Sequence, residues 1–225
     1  MNVDWILELI LSLIAIFSAI VLHEVAHGYV AYRLGDPTAK SRGRLTLNPL
    51  AHVDPIGTLL VPGVLAILRF VFNVNVLLIG WAKPVPINPA YFRNPARGTL
   101  YVALAGPGTN FALALLGTAL FRGLSAVIPD ATIGVGFTGN LVQWLAYLLA
   151  MFVLYNLVLG FFNLVPIPPL DGSRVLLYFL PPNGRRILLS LERYGMIIVI
   201  ALYYLGGLAI LFNAVGRLWG FLLGF

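Results

Sequence analysis

From Trp5 to Leu34 the chain runs through thirty residues with no Lys or Arg before Arg33, and this one feature fixes the solvent in which it folds. An α-helix of that length reaches roughly 45 Å, more than the ~30 Å hydrocarbon core of a bilayer. The rest of the sequence agrees: of 225 residues, 60% are hydrophobic and 10% charged, with a mean hydropathy of +0.94. A water-soluble domain carries about 45 to 50% apolar and about 25% charged residues, so an ordinary soluble globule is excluded. The first stretch does not read as a cleaved leader. Asp4 and Glu8 stand where a basic region would be, and no small-residue cleavage site follows a short apolar run.

Two further stretches, Thr99 to Phe121 and Leu141 to Leu164, are of spanning length, and another runs from Gly195 to Phe212 with an apolar continuation to Phe225 interrupted by Arg217. Ile56 to Phe72 contains Pro62-Gly63 and Arg69, while Val74 to Trp81 is too short to span. The expected fold is an all-α polytopic membrane protein with about five to six transmembrane helices. Short membrane-associated strands or re-entrant segments are expected near the cytoplasmic face, where Lys40 to Asn48, which ends in alternating apolar and polar positions, and the Pro-interrupted Lys83 to Asn88 read as short edge strands or loops. No internal repeat or low-complexity tail is present, and residues 1–225 are expected to form one intramembrane domain.

The 14 Lys and Arg are scattered between apolar runs, which argues against a nucleic-acid partner. Eight of them fall between Arg33 and Arg97, opposite the acidic Asp4 and Glu8. The positive-inside rule then runs the first helix from outside to cytoplasm. It makes the Arg122 to Asn140 loop external and returns Leu141 to Leu164 to Arg174, Arg185, Arg186 and Arg193 on the cytoplasmic side. Both flanks of Ile56 to Trp81 are then cytoplasmic, so this segment is expected as a hairpin or re-entrant piece.

With no cysteine in the chain, any metal must be held by His, Asp or Glu. His23-Glu24-Val25-Ala26-His27 lies toward the cytoplasmic end of the first helix. Residues four apart share a helix face, so both imidazoles can ligate one ion with Glu24 beside them as general base. Ionisable groups inside a span are costly and mark function. A catalytic zinc takes three protein ligands, and the third must be His52, an Asp or a Glu. Asp171, in Asn163 to Gly172, arrives on the same side as His27 behind three prolines that hold the segment extended. Its spacing equally suits the N-cap of a helix over Ser173 to Leu180.

Together the His23 to His27 motif, Ala105-Gly106-Pro107-Gly108-Thr109-Asn110 and Asn163 to Gly172 resemble the site-2 protease family of intramembrane zinc metalloproteases. Arg33 to Pro55 and Trp81 to Asn88 resemble its compact bacterial and archaeal branch, and the match runs in order from Val21 to Leu176. The resemblance implies zinc held by His23, His27 and Asp171, with Glu24 as catalytic base. It implies hydrolysis of peptide bonds within or beside a transmembrane segment of a membrane-protein substrate, in a prokaryotic plasma membrane. Gly108-Thr109 departs from the family, which often has a bulkier residue followed by Ser, and no PDZ or nucleotide-binding regulatory module is visible.

Asn110 and Asn163 set amides in or at the end of spans, where they can hold substrate backbone, donate to an oxyanion or bridge helices; the resemblance favours substrate contact for at least one. His52 suits a local hydrogen-bonding role or a lid approaching the metal. Gly106, Gly108 and Gly117 read as sites of close helix approach. The substrate must unwind, and pairing with an edge near Lys40 to Asn48 or Lys83 to Asn88 would replace its lost backbone bonds. Two rivals remain at this level: a membrane metal-ion transporter, which should show repeated halves, and a proteolytically inactive scaffold, which should have lost a ligand or the base.

Overall fold

The structure is a computed structural model and describes residues 4–74, 76, 80–127 and 136–224. The expected external loop and the Val74 to Trp81 stretch each fall partly outside these residues. Every regular element among the described residues is helical: α1 (Asp4–Arg33), α2 (Thr38–Ser41), α3 (Val61–Phe70), α4 (Pro95–Val127), α5 (Gly136–Asn163), α6 (Asp171–Phe179), α7 (Pro182–Ser190), α8 (Gly195–Tyr204) and α9 (Ala209–Leu223). Among the described residues, four stretches are long and apolar enough to cross a membrane: Asp4–Arg33, Pro95–Val127, Asn140–Asn163 and Pro182–Tyr204.

Helix α1 stops where Gly35 adopts φ 106° and the Asp36 N–H turns back to Ala31 O, a left-handed cap that suits glycine. The strands expected just beyond do not form among the described residues. Asp36 Oδ1 accepts from the Thr38 N–H at 2.9 Å, which starts α2 and winds Lys40 and Ser41 into a helix. Residues 82–88 form no regular element and pair in no ladder, since Pro84 and Pro86 carry no N–H to donate.

The ends of the segment between them come together, as a hairpin or a re-entrant piece requires. A π-helical turn over Pro55–Leu60 leads into α3, and the Trp81 N–H then returns to Gly57 O at 3.0 Å while Thr58 Oγ1 donates to Trp81 O at 2.8 Å. Residues 57 and 81 meet, so the two flanks of this segment lie side by side.

Helices α1, α4 and α5 pack on one another, and α9 lies along α4 and α5. The main apolar core, Ala114, Phe121, Ala150, Val153, Leu157, Val215 and Leu223, sits between α4, α5 and α9. Gly117 lets Val153 and Phe152 close in, as expected of a small residue at a helix crossing, whereas nothing approaches Gly108. The guanidinium of Arg122 donates to Leu222 O and Phe221 O at the end of α9, and Gly195 at the start of α8 lies against the backbone of Pro168. The expected Gly195 to Phe212 span is thus split at Gly206, whose φ is 77°, and Arg217 is carried on the exposed face of α9.

Candidate active site

His23 and His27 are buried on α1 and face the turn of α4 that contains Gly106 and Pro107. Proline has no N–H for the carbonyl four residues back, which loosens the helix ladder at this turn. A Cβ on Gly106 would stand 2.4 Å from His27 Nε2 and 2.6 Å from His23 Nε2. Its absence makes the space in which the two nitrogens meet, 2.9 Å apart.

Asp171 closes the cluster, its Oδ2 lying 3.2 Å from each imidazole Nε2. The loop that delivers it is not the extended segment the prolines led us to expect. It is a run of tight turns, with bonds from Ile167 N to Val165 O and from Leu170 N to Ile167 O. Gly172 allows the closure, because a Cβ there would meet Leu164 O at 2.2 Å. The capping alternative for Asp171 fails: α6 begins at Asp171 itself, its N-cap is Leu170, and no side chain caps it.

Proton positions follow from the partners. Val102 O can only accept, so His27 Nδ1, 2.7 Å away, carries the proton and Nε2 is a bare lone pair. Asn110 Nδ2 faces Ala19 O and Asn156 Oδ1. Its Oδ1 therefore accepts from His23 Nδ1 at 2.5 Å, which leaves His23 Nε2 bare as well. Burial pushes the Asp171 carboxyl up, but a proton on an imidazole Nε2 bonds to it and outweighs that, holding it at about 2, so it is a carboxylate at neutral pH. Its buried Oδ2 has no hydrogen-bond partner. With both rings neutral, three lone-pair donors converge with no proton between them, and a metal ion satisfies all three at once. Donors bound tetrahedrally at about 2.0 to 2.2 Å stand roughly 3.3 to 3.5 Å apart, close to the distances found. The residues fit a metal ion, and among the described residues these three form the cluster able to hold one.

A cavity of about 550 Å³ opens on the cluster and is lined by Glu24, Val85, Asn163 and Arg174 among others. Glu24 Oε2 accepts the Val85 N–H at 2.9 Å. Asn163 lines this cavity and spends one amide proton on Leu159 O at 3.0 Å. Asn110 does not reach it. Fully buried, it bridges α1, α4 and α5 behind His23, which is helix bridging and not the substrate contact considered for it. His52 is also apart from the cluster, buried in the 3₁₀ turn Pro49–His52 with Nε2 against Thr46 O at 2.9 Å, and takes the local role in place of the lid.

Three contributors were not anticipated: Asn156, which orients Asn110; the Val85 N–H; and Gly106 as a gap for the rings. Asn156 had a readable signal, a polar amide seven residues before Asn163 on the same face of an apolar span. The other two depend on tertiary register.

Comparison with known proteins agrees with this geometry. The model of peptidase family M50 matches residues 79–206, more than half of the chain. "Putative zinc metalloprotease YwhC" of Bacillus subtilis is 38% identical over 195 residues, covering 87% of this chain and 79% of the relative. "Putative zinc metalloprotease Rip2" of Mycobacterium tuberculosis is 35% identical over 182 residues, 81% of this chain but 62% of the relative. "Putative zinc metalloprotease MJ0611" of Methanocaldococcus jannaschii is 33% identical over 76% of this chain and 71% of its own length. No solved structure matches. On the family model and the extent of these relatives, the chain belongs to peptidase family M50, the site-2 proteases.

Proposed function

We propose that this protein is an intramembrane zinc metalloprotease that hydrolyses peptide bonds within or near transmembrane segments of membrane-protein substrates. The observation that carries the reading is the convergence of two bare imidazole nitrogens and an unpartnered carboxylate oxygen beside Glu24, in a cavity between helices of membrane-spanning length. His23, His27 and Asp171 would hold the zinc. When bound, zinc supplies a Lewis acid for the scissile carbonyl and lowers the pKa of a water toward about 7. Glu24 takes the proton of the attacking water and returns it to the leaving amine. The Val85 N–H holds one oxygen of that carboxylate and leaves the other for the proton. Asn163 keeps its Oδ1 and second amide proton for substrate backbone.

The test is cleavage of a panel of single-span membrane proteins in detergent or proteoliposomes. Glu24→Gln is expected to retain stoichiometric zinc while turnover falls about 10²- to 10⁴-fold; normal turnover in that variant would overturn the reading.

In the same reading the protein lies in a prokaryotic plasma membrane, with the N-terminus outside and the site near the cytoplasmic face. Helices α8 and α9 form one interrupted crossing from the Pro168 end to the Arg122 end. Support comes from the eight basic residues between Arg33 and Arg97 against Asp4 and Glu8. Single cysteines at Val3 and Ile133 of this cysteine-free chain should react with an impermeant thiol reagent on intact cells, and Ser41 and Pro95 should not. Labelling at Ser41 but not Val3 would invert the orientation.

A further inference from the structure

Residues 81–88 are tied down along one edge at intervals of two. Trp81 N–H donates to Gly57 O, Lys83 N–H to His52 O at 2.9 Å, and Val85 N–H to Glu24 Oε2 at 2.9 Å. Arg44 Nη2 grips Lys83 O at 2.6 Å. On either side of Val85, Pro84 and Pro86 offer no N–H, so over residues 83–86 only the tied edge can donate. At its far end the Asn88 N–H meets Asp36 Oδ2 at 2.6 Å. Asp36 is fully buried, and its other oxygen is engaged by the N–H and hydroxyl of Thr38. A buried carboxylate is costly unless its lone pairs are met by donors, and here one set of lone pairs serves the local turn while the other serves the strap. The link from Asp36 to the base is then continuous: Asp36 to Asn88 N–H, the two residues Ile87 and Pro86, Val85 N–H, Glu24.

We propose that Asp36 is a positioning residue for the proteolytic reaction, fixing the strap so that the Val85 N–H orients the carboxylate of Glu24. The inference rests on the metalloprotease reading and goes beyond it by assigning a role to a carboxylate that touches neither the metal ligands nor the cavity. Positioning a base differs from holding the fold in what it changes. Asp36→Asn replaces one acceptor by a donor that faces a donor, which frees the strap end while the side-chain volume stays.

The experiment measures kcat and KM of the full chain on a panel substrate cleaved by the wild type, together with zinc content, melting temperature and amide hydrogen exchange at Val85 and Asn88. Asp36→Asn is expected to raise exchange at both amides roughly tenfold. It should also lower kcat about 10- to 100-fold, as losing an outer support of a site does, with KM within about twofold and zinc retained. Thr38→Val, which touches only the other oxygen of Asp36, should leave kcat at the wild-type level. Arg44→Gln loosens the strap from its other end and should reproduce the exchange and kcat changes even where Asp36→Asn does not fold. Faster exchange at Val85 with unchanged kcat would overturn the proposal. So would an equal loss in Thr38→Val, or a fall in kcat that tracks loss of zinc or of melting temperature. The exchange arm needs no substrate, so unchanged exchange at Val85 in both strap variants overturns the link whether or not proteolysis is observed.

Discussion

The two halves of the metal cluster are built differently. The histidine half is held by side chains and their distant partners: His23 by Asn110 and through it Asn156, His27 by Val102 O, all in the packed interior of α1, α4 and α5. The aspartate half is held by main chain. Asp171 Oδ2 has no hydrogen-bond partner, and its position follows from the closure of the Leu164 to Leu170 turns against Gly172 and from the seat of Gly195 on Pro168. One half is therefore tuned by hydrogen bonds to each ring, and the other by whether the backbone can come close at all. Both halves also depend on a glycine, and the glycines offer the sharpest way to separate them.

The largest effect is expected from Gly172→Ala. The new Cβ would lie 2.2 Å from Leu164 O and 2.5 Å from Val165 O, and a carbonyl oxygen in a tight turn cannot swing aside. The turns must reopen, carrying Asp171 and the start of α6 with them, so zinc content and melting temperature should fall together. Elemental analysis beside a thermal denaturation curve checks this; a variant that melts like the wild type with full zinc would show that the loop yields where the contacts say it does not.

Gly106→Ala should lose metal without losing the fold. Its Cβ would meet His27 Nε2 and His23 Cε1, at 2.4 and 2.5 Å. These are the tips of side chains that can rotate out of the cluster. Alanine is also about 0.8 to 1.0 kcal/mol better than glycine in a helix interior. The expected result is zinc reduced to a small fraction of stoichiometric in a protein whose apo form melts no lower than apo wild type. If Gly106→Ala lost structure as Gly172→Ala does, the contrast between side-chain and main-chain construction would be wrong.

The same contrast explains what could be read from sequence. His23 and His27 lie four residues apart, so their common face follows from the 3.6-residue period alone, and Glu24 stands next to His23 in the chain. Asp171 has no such local signal, since its spacing suits a cap as well as a ligand. The resemblance decided in favour of a ligand, and the absence of any capping bond agrees. The apolar lengths located α1, α4 and α5 to within a few residues, because lipid imposes length directly. No strand forms among the described residues: the Asp36 to Thr38 bond precedes α2, which takes Lys40 and Ser41 into a helix, and the prolines of 83–88 carry no N–H for a ladder. Residues whose role depends on register between distant elements, Val85 and Asn156 among them, left little trace in the linear pattern.

Asn110→Ala is expected to give the smallest effect of the three and bears on the histidine half alone. It removes the acceptor that fixes the His23 tautomer and leaves the His23 Nδ1 proton and Asn156 Oδ1 without the partner they share, while the His27 to Val102 bond and the Asp171 loop remain. Loss of one outer-shell partner typically costs 10- to 100-fold in metal affinity or activity, about 1.4 to 2.7 kcal/mol. The new buried and unsatisfied donor adds a stability cost of about 1 to 3 kcal/mol. Competition with a chelator of known zinc affinity measures the first and thermal denaturation of the apo protein the second. Asn110→Asp should preserve an acceptor for His23 Nδ1 and recover most of the zinc affinity. It should do little for the apo stability, because a buried carboxylate faces Asn156 Oδ1 where an amide once donated. An Asn110→Ala variant with wild-type zinc affinity would mean that the histidine half, like the aspartate half, is positioned by its main chain and not by the bonds to its rings.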